Sequence, residues 1–350
     1  MKDREGRRVS VRELLTGRPG EEVRVVPWWR QALPWVFTAV ILIGIFSRIE
    51  FDEFLYHLSG ARLFLLIPAM LGFTLVYAAG DVLSYGNCYR WFVTPAITAR
   101  EIVNMRWGAY LLHAFYTPLS TAANLVYLRR KRGAPVIWTL SANAFTSVHD
   151  LFTINAVVTA ALLMSLAGLS GAEVDPRWLY AASVPWLVAL GYAGYWFTPV
   201  RGLGFLLRIT ETPILRSCRL AAARHHLIVL GARLMVAAGG VAAHWLAFVA
   251  FGMEVPAQMA LLIAPLMVGA SFLPVSGAGF GGPQLAALIL LPYAHDNQAL
   301  VAAYSMSFSA LFTLGRSIIG FVFMPGMFRD LAGPPPPPQF GADPTTQRVF

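Results

Sequence analysis

The feature that most constrains this chain is the way it returns, from Leu33 to Phe328, to apolar runs long enough to cross a bilayer. "LPWVFTAVILIGIFSRI" (33–49) and "LFLLIPAMLGFTLVYAAGDVLSYG" (63–86) are the first two. About 20 apolar residues in a helix span the ~30 Å hydrocarbon core. With no water there, the backbone must bond to itself, and runs of this length do so as helices. Composition agrees: 57% of the 350 residues are hydrophobic and 13% charged, against about 25% charged in soluble domains. Mean hydropathy is +0.59. The expected class is an all-α polytopic membrane protein.

The net charge of +9 raises nucleic acid as a partner, but cytoplasmic loops obeying the positive-inside rule account for it better. Residues 1–30 form a basic cytoplasmic arm ending in the interfacial pair Trp28 and Trp29, and the first apolar run reads as uncleaved. "EFDEF" (50–54) is acidic and so placed outside, whereas Arg90, Arg100 and Arg106 mark the side to which 63–86 returns. The stretch 107–128 is basic on both flanks, ending in "RRKRG" (129–133). A re-entrant hairpin broken at "YTPLSTAAN" (116–124) fits that better than a crossing. Residues 136–167, 178–199, 226–252 and 299–324 supply four further spans. The basic loop 200–224 lies inside, and "GPPPPPQFGADPTTQRVF" closes the chain as a Pro-rich disordered tail. The transmembrane domain is thus 31–328 and the tail 329–350. Both termini are expected in the cytoplasm.

"SFLPVSGAGFGGPQ" (271–284) lies at membrane depth with non-basic flanks. Pro274 and Pro283 remove backbone donors, and Gly277, Gly279, Gly281 and Gly282 loosen helical order. Small residues also let helices pack closely, but so many breakers together predict a second re-entrant hairpin, entering from outside. About six full spans and two opposed broken hairpins suggest an inverted repeat with a site near the midplane, although no residue-by-residue repeat is visible. Counting each hairpin as two full spans gives eight or more crossings, and that alternative stays open.

Ionisable residues at depth are costly and so are candidates for function. Asp81 and Arg233 lie toward the inner ends of their spans, near enough to snorkel. Asp150 and Arg316 lie deeper, and Arg316 is able either to receive a lipid phosphate or to neutralise Asp150. His113 and His149 read as packing or hydrogen-bonding residues rather than metal ligands, because no second close ligand accompanies either. Cys88 and Cys218 have no metal-ligand spacing. No cofactor or metal is expected.

"PLMVGASFLPVSGAGFGGPQLAAL" (265–288) resembles the signature hairpin of the lysylphosphatidylglycerol synthase transmembrane, or flippase-like domain, family. "SVHDLF" (147–152), "YTPLSTAANLVYLRRKRG" (116–133) and "GRSIIGFVFMPG" (315–326) are similar to further family segments, in order. This chain has Pro283 and Gln284 where the family has a charged pair, and no synthase domain is expected. The resemblance implies movement of lipids, often aminoacylated or otherwise modified, between leaflets, in a bacterial cytoplasmic membrane.

The leading expectation is therefore a lipid flippase or transporter rather than an enzyme, with an anionic or modified phospholipid as partner. Its headgroup would sit between the hairpins near Pro118, Asn124, Pro274, Ser276, Gly279 and Gln284. Arg316 and Asp150 would line the cavity, and Asp81 and Asp150 are the candidate proton carriers. The enzymatic alternative is a polytopic glycosyltransferase with a lipid-linked donor, using Asp52 and Glu53 as paired carboxylates. A third reading is a non-transporting scaffold that binds lipid through its basic segments and a protein partner through the Pro-rich tail.

Overall fold

The apolar runs fold as helices, and no strand occurs among the described residues. The structure is a computed structural model. It describes residues 28–168 apart from 116, a few positions between 183 and 194, 212–271 apart from 256, 280–291 and 296–333. Side chains are described within these ranges except at 28–34, 115–118, 257–258 and 268–271. The expected span 178–199 therefore falls mostly outside, as do residues 272–279.

Four helices are long and apolar enough to cross a membrane: α3 (Leu63–Phe92), α7 (Val136–Leu166), α9 (Ala223–Ala250) and α12 (Gln298–Ala332). They match four of the expected spans to within a few residues at most ends. The first expected span forms α1 (Trp28–Phe46), whose apolar part Trp35–Phe46 is shorter. Between these run short elements: α2 (Phe51–Gly60), α4 (Ala99–Gly108), α5 (Tyr110–Phe115), α6 (Thr117–Arg132), α8 (Arg216–Leu220), α10 (Ala257–Ser271) and α11 (Gly282–Leu290). The helices α5 and α6 pack on each other, and so do α10 and α11.

Several local readings are corrected. "EFDEF" leads into α2, where Asp52 and Glu53 occupy the first turn and favour its positive end. Of the break expected over 116–124, residue 116 lies outside the described residues, and α6 is helical from Thr117 through Asn124. Pro118 is its second residue, a place where proline's missing donor costs nothing. The basic "RRKRG" belongs to the same helix through Arg132, and the chain leaves it at Gly133, whose φ is 67°. At the other end, α12 runs to Ala332, past the boundary drawn at 328.

The antiparallel pair α3 and α9 forms the spine. Gly80 faces Val236 and Gly239 faces Val76, so closely that a Cβ at either would collide. Small residues are what permit such approach between membrane helices. At one end of this spine a core gathers Phe73, Phe248 and Tyr304. A second core, around Tyr89, Tyr127 and Phe145, fills the other end. Leu71, Leu75 and Leu83 of α3 and Phe321 and Val322 of α12 point outward and exposed, an apolar surface that a bilayer would cover.

Candidate functional site

Between the two cores the helices enclose a cavity of about 560 Å³. All four long helices line it, helped by Arg106, Tyr110, His113, Ser120 and Thr121 from α4–α6 and by Pro265 and Pro283 from α10 and α11. Its lining residues on α3 run from Phe73 to Tyr85, the middle of that helix.

The cavity has a charged pole and an apolar one. Asp81, Arg106, Asp150, Arg233 and Arg316 cluster toward the C-terminal half of α3, whereas Phe73, Met267 and Phe308 line the other end. Asp81 is 1% exposed. Arg106 donates to both of its oxygens, Nε to Oδ2 at 2.9 Å and Nη2 to Oδ1 at 2.8 Å. The Tyr110 hydroxyl donates a third bond at 3.0 Å. A bidentate guanidinium–carboxylate contact is the strongest geometry such a pair can take. Asp150 is held more loosely: Arg233 Nε stands 3.1 Å from its Oδ1, yet Nε and Nη2 of Arg233 complete no hydrogen bond. Tyr85 lies between the pairs, its ring 3.7 Å from the Arg106 guanidinium carbon and 5.0 Å from that of Arg233.

Arg316 differs from both. It is 6% exposed, its Nε has no hydrogen-bond partner, and no carboxylate among the described residues pairs with it. Its company is aromatic: the guanidinium carbon lies 4.3 Å from the Phe312 ring centre and 5.9 Å from that of Tyr77. Cation–π attraction of this kind is worth about 0.5–2 kcal/mol, too little to replace a counter-ion for a buried charge.

The structure therefore brings Asp81, Asp150 and Arg316 into one cavity, but Arg233, not Arg316, neutralises Asp150. Asp81 and Arg233 do not snorkel either, being buried at the cavity wall. Gln284 is fully buried beside the cavity. Its carbonyl accepts from the Gly281 N–H at 2.6 Å, and its amide donates to Ser309 Oγ at 2.9 Å and the Ser305 carbonyl at 3.3 Å. Gly281 has φ 94°, which a side chain would strain, so this cap explains one glycine of the cluster. Ser309 lines the cavity, and Gln284 acts on it through that hydroxyl. Asn124 is fully buried, both of its amide atoms are without a partner among the described residues, and it does not line the cavity. Pro274, Ser276 and Gly279 lie outside the described residues, as does the side chain of Pro118.

Asp52 and Glu53 stand elsewhere, at the start of α2, with His57 3.8 Å from Glu53. His149 hydrogen-bonds the Phe145 carbonyl at 2.7 Å and His226 at 3.1 Å. Among the described residues no group of three or more His, Cys, Asp or Glu could hold a metal. Cys88 and Cys218 form no disulfide, and both are buried. Arg106, Tyr85 and Tyr110 are site residues that sequence reasoning passed over. Arg106 read as a loop charge, and the two tyrosines carried no signal of depth.

The fold and cavity define an all-helical membrane protein with a central, partly charged chamber. No family model matches the chain, and no curated protein matches it.

Proposed function

We propose that this protein is a membrane transporter that carries an anionic lipid or lipid-linked molecule between leaflets, with the headgroup in the central chamber. One observation carries the reading: Arg316 is a buried cation with no anion of its own among the described residues, facing a cavity walled mostly by apolar and aromatic side chains. A buried charge without a partner is costly, and an anionic headgroup would supply that partner while acyl chains stay among apolar surfaces. The resemblance of 265–288 to a flippase-like family points the same way. On this reading α10 and α11, about 22 Å and 13 Å long at 1.5 Å per residue, are the two arms of a re-entrant hairpin. The helices α5 and α6 form its opposed counterpart. The glycosyltransferase alternative has less support, because Asp52 and Glu53 lie on the first turn of α2 and not at the chamber.

The test uses the full chain reconstituted in liposomes containing a fluorescent phosphatidylglycerol, with a membrane-impermeant quencher outside. The protein should make the inner-leaflet probe accessible, and Arg316→Gln should slow this at least about tenfold, the value of one 1.4 kcal/mol interaction. Equal rates with the folded variant, or with protein-free liposomes, would sink the proposal.

A further inference from the structure

The chamber holds three guanidinium groups, and the way each is satisfied differs in a manner the transporter reading alone leaves unexplained. Arg106 is fully engaged by Asp81. Arg316 has no carboxylate partner among the described residues, and its Nε makes no hydrogen bond. Arg233 is intermediate, since its one ion pair, to Asp150, leaves Nε and Nη2 buried without a hydrogen bond. Asp150 itself is 21% exposed at its side chain while Arg233 is only 4% exposed, so the carboxylate faces the chamber from in front of the arginine. Among the described residues of the charged pole, three guanidinium groups stand against two carboxylates, an excess of one positive charge.

We propose that Arg316 and Arg233 together form a two-guanidinium receptor for a phosphate group, and that Asp150 is a tethered carboxylate that occupies Arg233 until the phosphate arrives. The chemical class follows from the donors. Two planar forks with unmet donors suit a tetrahedral oxyanion with several acceptor oxygens, and the one carboxylate already present leaves them unmet. The Phe312 ring lies 4.3 Å from the Arg316 guanidinium carbon and holds its fork from one side, with the Tyr77 ring farther off at 5.9 Å. Tyr85 lies against Arg233 on the face between the two ion pairs. When phosphate takes Arg233, Asp150 turns into the chamber, where it has room. The inference rests on the same chamber as the transporter reading, but it is tested by binding alone.

Binding is measured calorimetrically on the full chain in detergent. The probes are dihexanoyl phosphatidate, kept below its micellar concentration, and inorganic phosphate. Asp150→Asn should tighten Kd about tenfold, a modest share of what one competing charge at such distance is worth. A residue that merely lines the site or stabilises the fold would leave Kd unchanged or weaken it, and either result overturns the proposal. Should Asp150→Asn fail to fold, Asp150→Asn with Arg233→Gln restores the charge balance. That double variant should bind about tenfold more weakly than the native chain, and native-like affinity would overturn Arg233's part in the receptor. Binding of both probes assigns the site to the phosphate group itself, and binding of phosphatidate alone assigns it to a lipid headgroup. If neither probe binds the native chain, the receptor does not exist. Phosphate-dependent binding without lipid movement in liposomes would instead retain the receptor and remove the transporter reading.

Discussion

Glu101 shows how a single side chain fastens the short helices beside the chamber. Its carboxylate closes the N-terminus of α4, accepting from the Thr98 backbone N–H at 2.9 Å and the Thr98 hydroxyl at 3.0 Å, and Arg132 from the end of α6 donates to it as well. Burial by itself raises the pKa of Glu101, but the bonds from Arg132 and Thr98 outweigh it and hold the carboxyl below its ordinary value. A depressed carboxyl pKa contributes stability that is fully present above the unfolded value and lost as pH falls through the folded one. Glu101→Gln should therefore lower the melting temperature at neutral pH, and the two melting curves should converge as pH falls below the ordinary glutamate range. A gap that persists undiminished at acid pH would show that packing, not the charge, is what the glutamate supplies. At this scale the sequence was only partly informative. Asp81, Asp150 and Arg316 stand out as charges within apolar runs, but hydropathy is a local quantity and says nothing of partners. That Asp81 meets Arg106, or Asp150 meets Arg233, depends on helices far apart in the chain coming side by side.

Among the elements, the long helices were legible and the short ones were not. A run such as 136–167 announces its length in its own composition, and α7 follows it closely. The segments α4–α6 cross no such threshold, and Pro118 reads as a breaker when it is in fact a helix start. What holds these short pieces is close approach to α12. Gly320 of α12 meets the backbone nitrogen of Leu111 in α5, where a Cβ would collide with main chain that cannot rotate away. Gly231 of α9 has nothing within 4 Å of the place its Cβ would take. Gly320→Ala should then destabilise by about 1–3 kcal/mol, the usual range for overpacking. Gly231→Ala should be neutral or stabilise by up to about 1 kcal/mol, as glycine is the poorer helix former. Thermal melts in detergent read the contrast directly, and equal effects would mean that α5 is not pinned against α12.

The whole molecule has an electrical polarity that follows from where its helices end. At one pole meet the ends of α3, α6 and α12 and the starts of α4 and α9. Their Arg90, Arg100, Lys131, Arg224 and Arg329 stand against only Glu101 and Asp330 among the nearby described acids. At the other pole Glu53, Asp296 and Arg48 border a small polar cleft, with Asn297 joined to His57 at 2.9 Å and Glu254 just past the end of α9. Basic residues are retained in the cytoplasm during insertion, so the basic pole should face inward. The charged end of the chamber then lies nearer the cytoplasm, and an anionic headgroup would be drawn toward Arg316 from that side more readily than from the other. Cysteines at Lys131 and Asp296 test the orientation in the native background, because Cys88 and Cys218 are buried and offer little to an impermeant thiol reagent. Asp296→Cys should label in intact cells, and Lys131→Cys only after the membrane is opened. The reverse pattern would invert the molecule and with it the direction from which the chamber is charged. Labelling of both positions from one side would mean that the two poles do not lie on opposite faces of a membrane, which would remove the basis for a chamber reached from either leaflet.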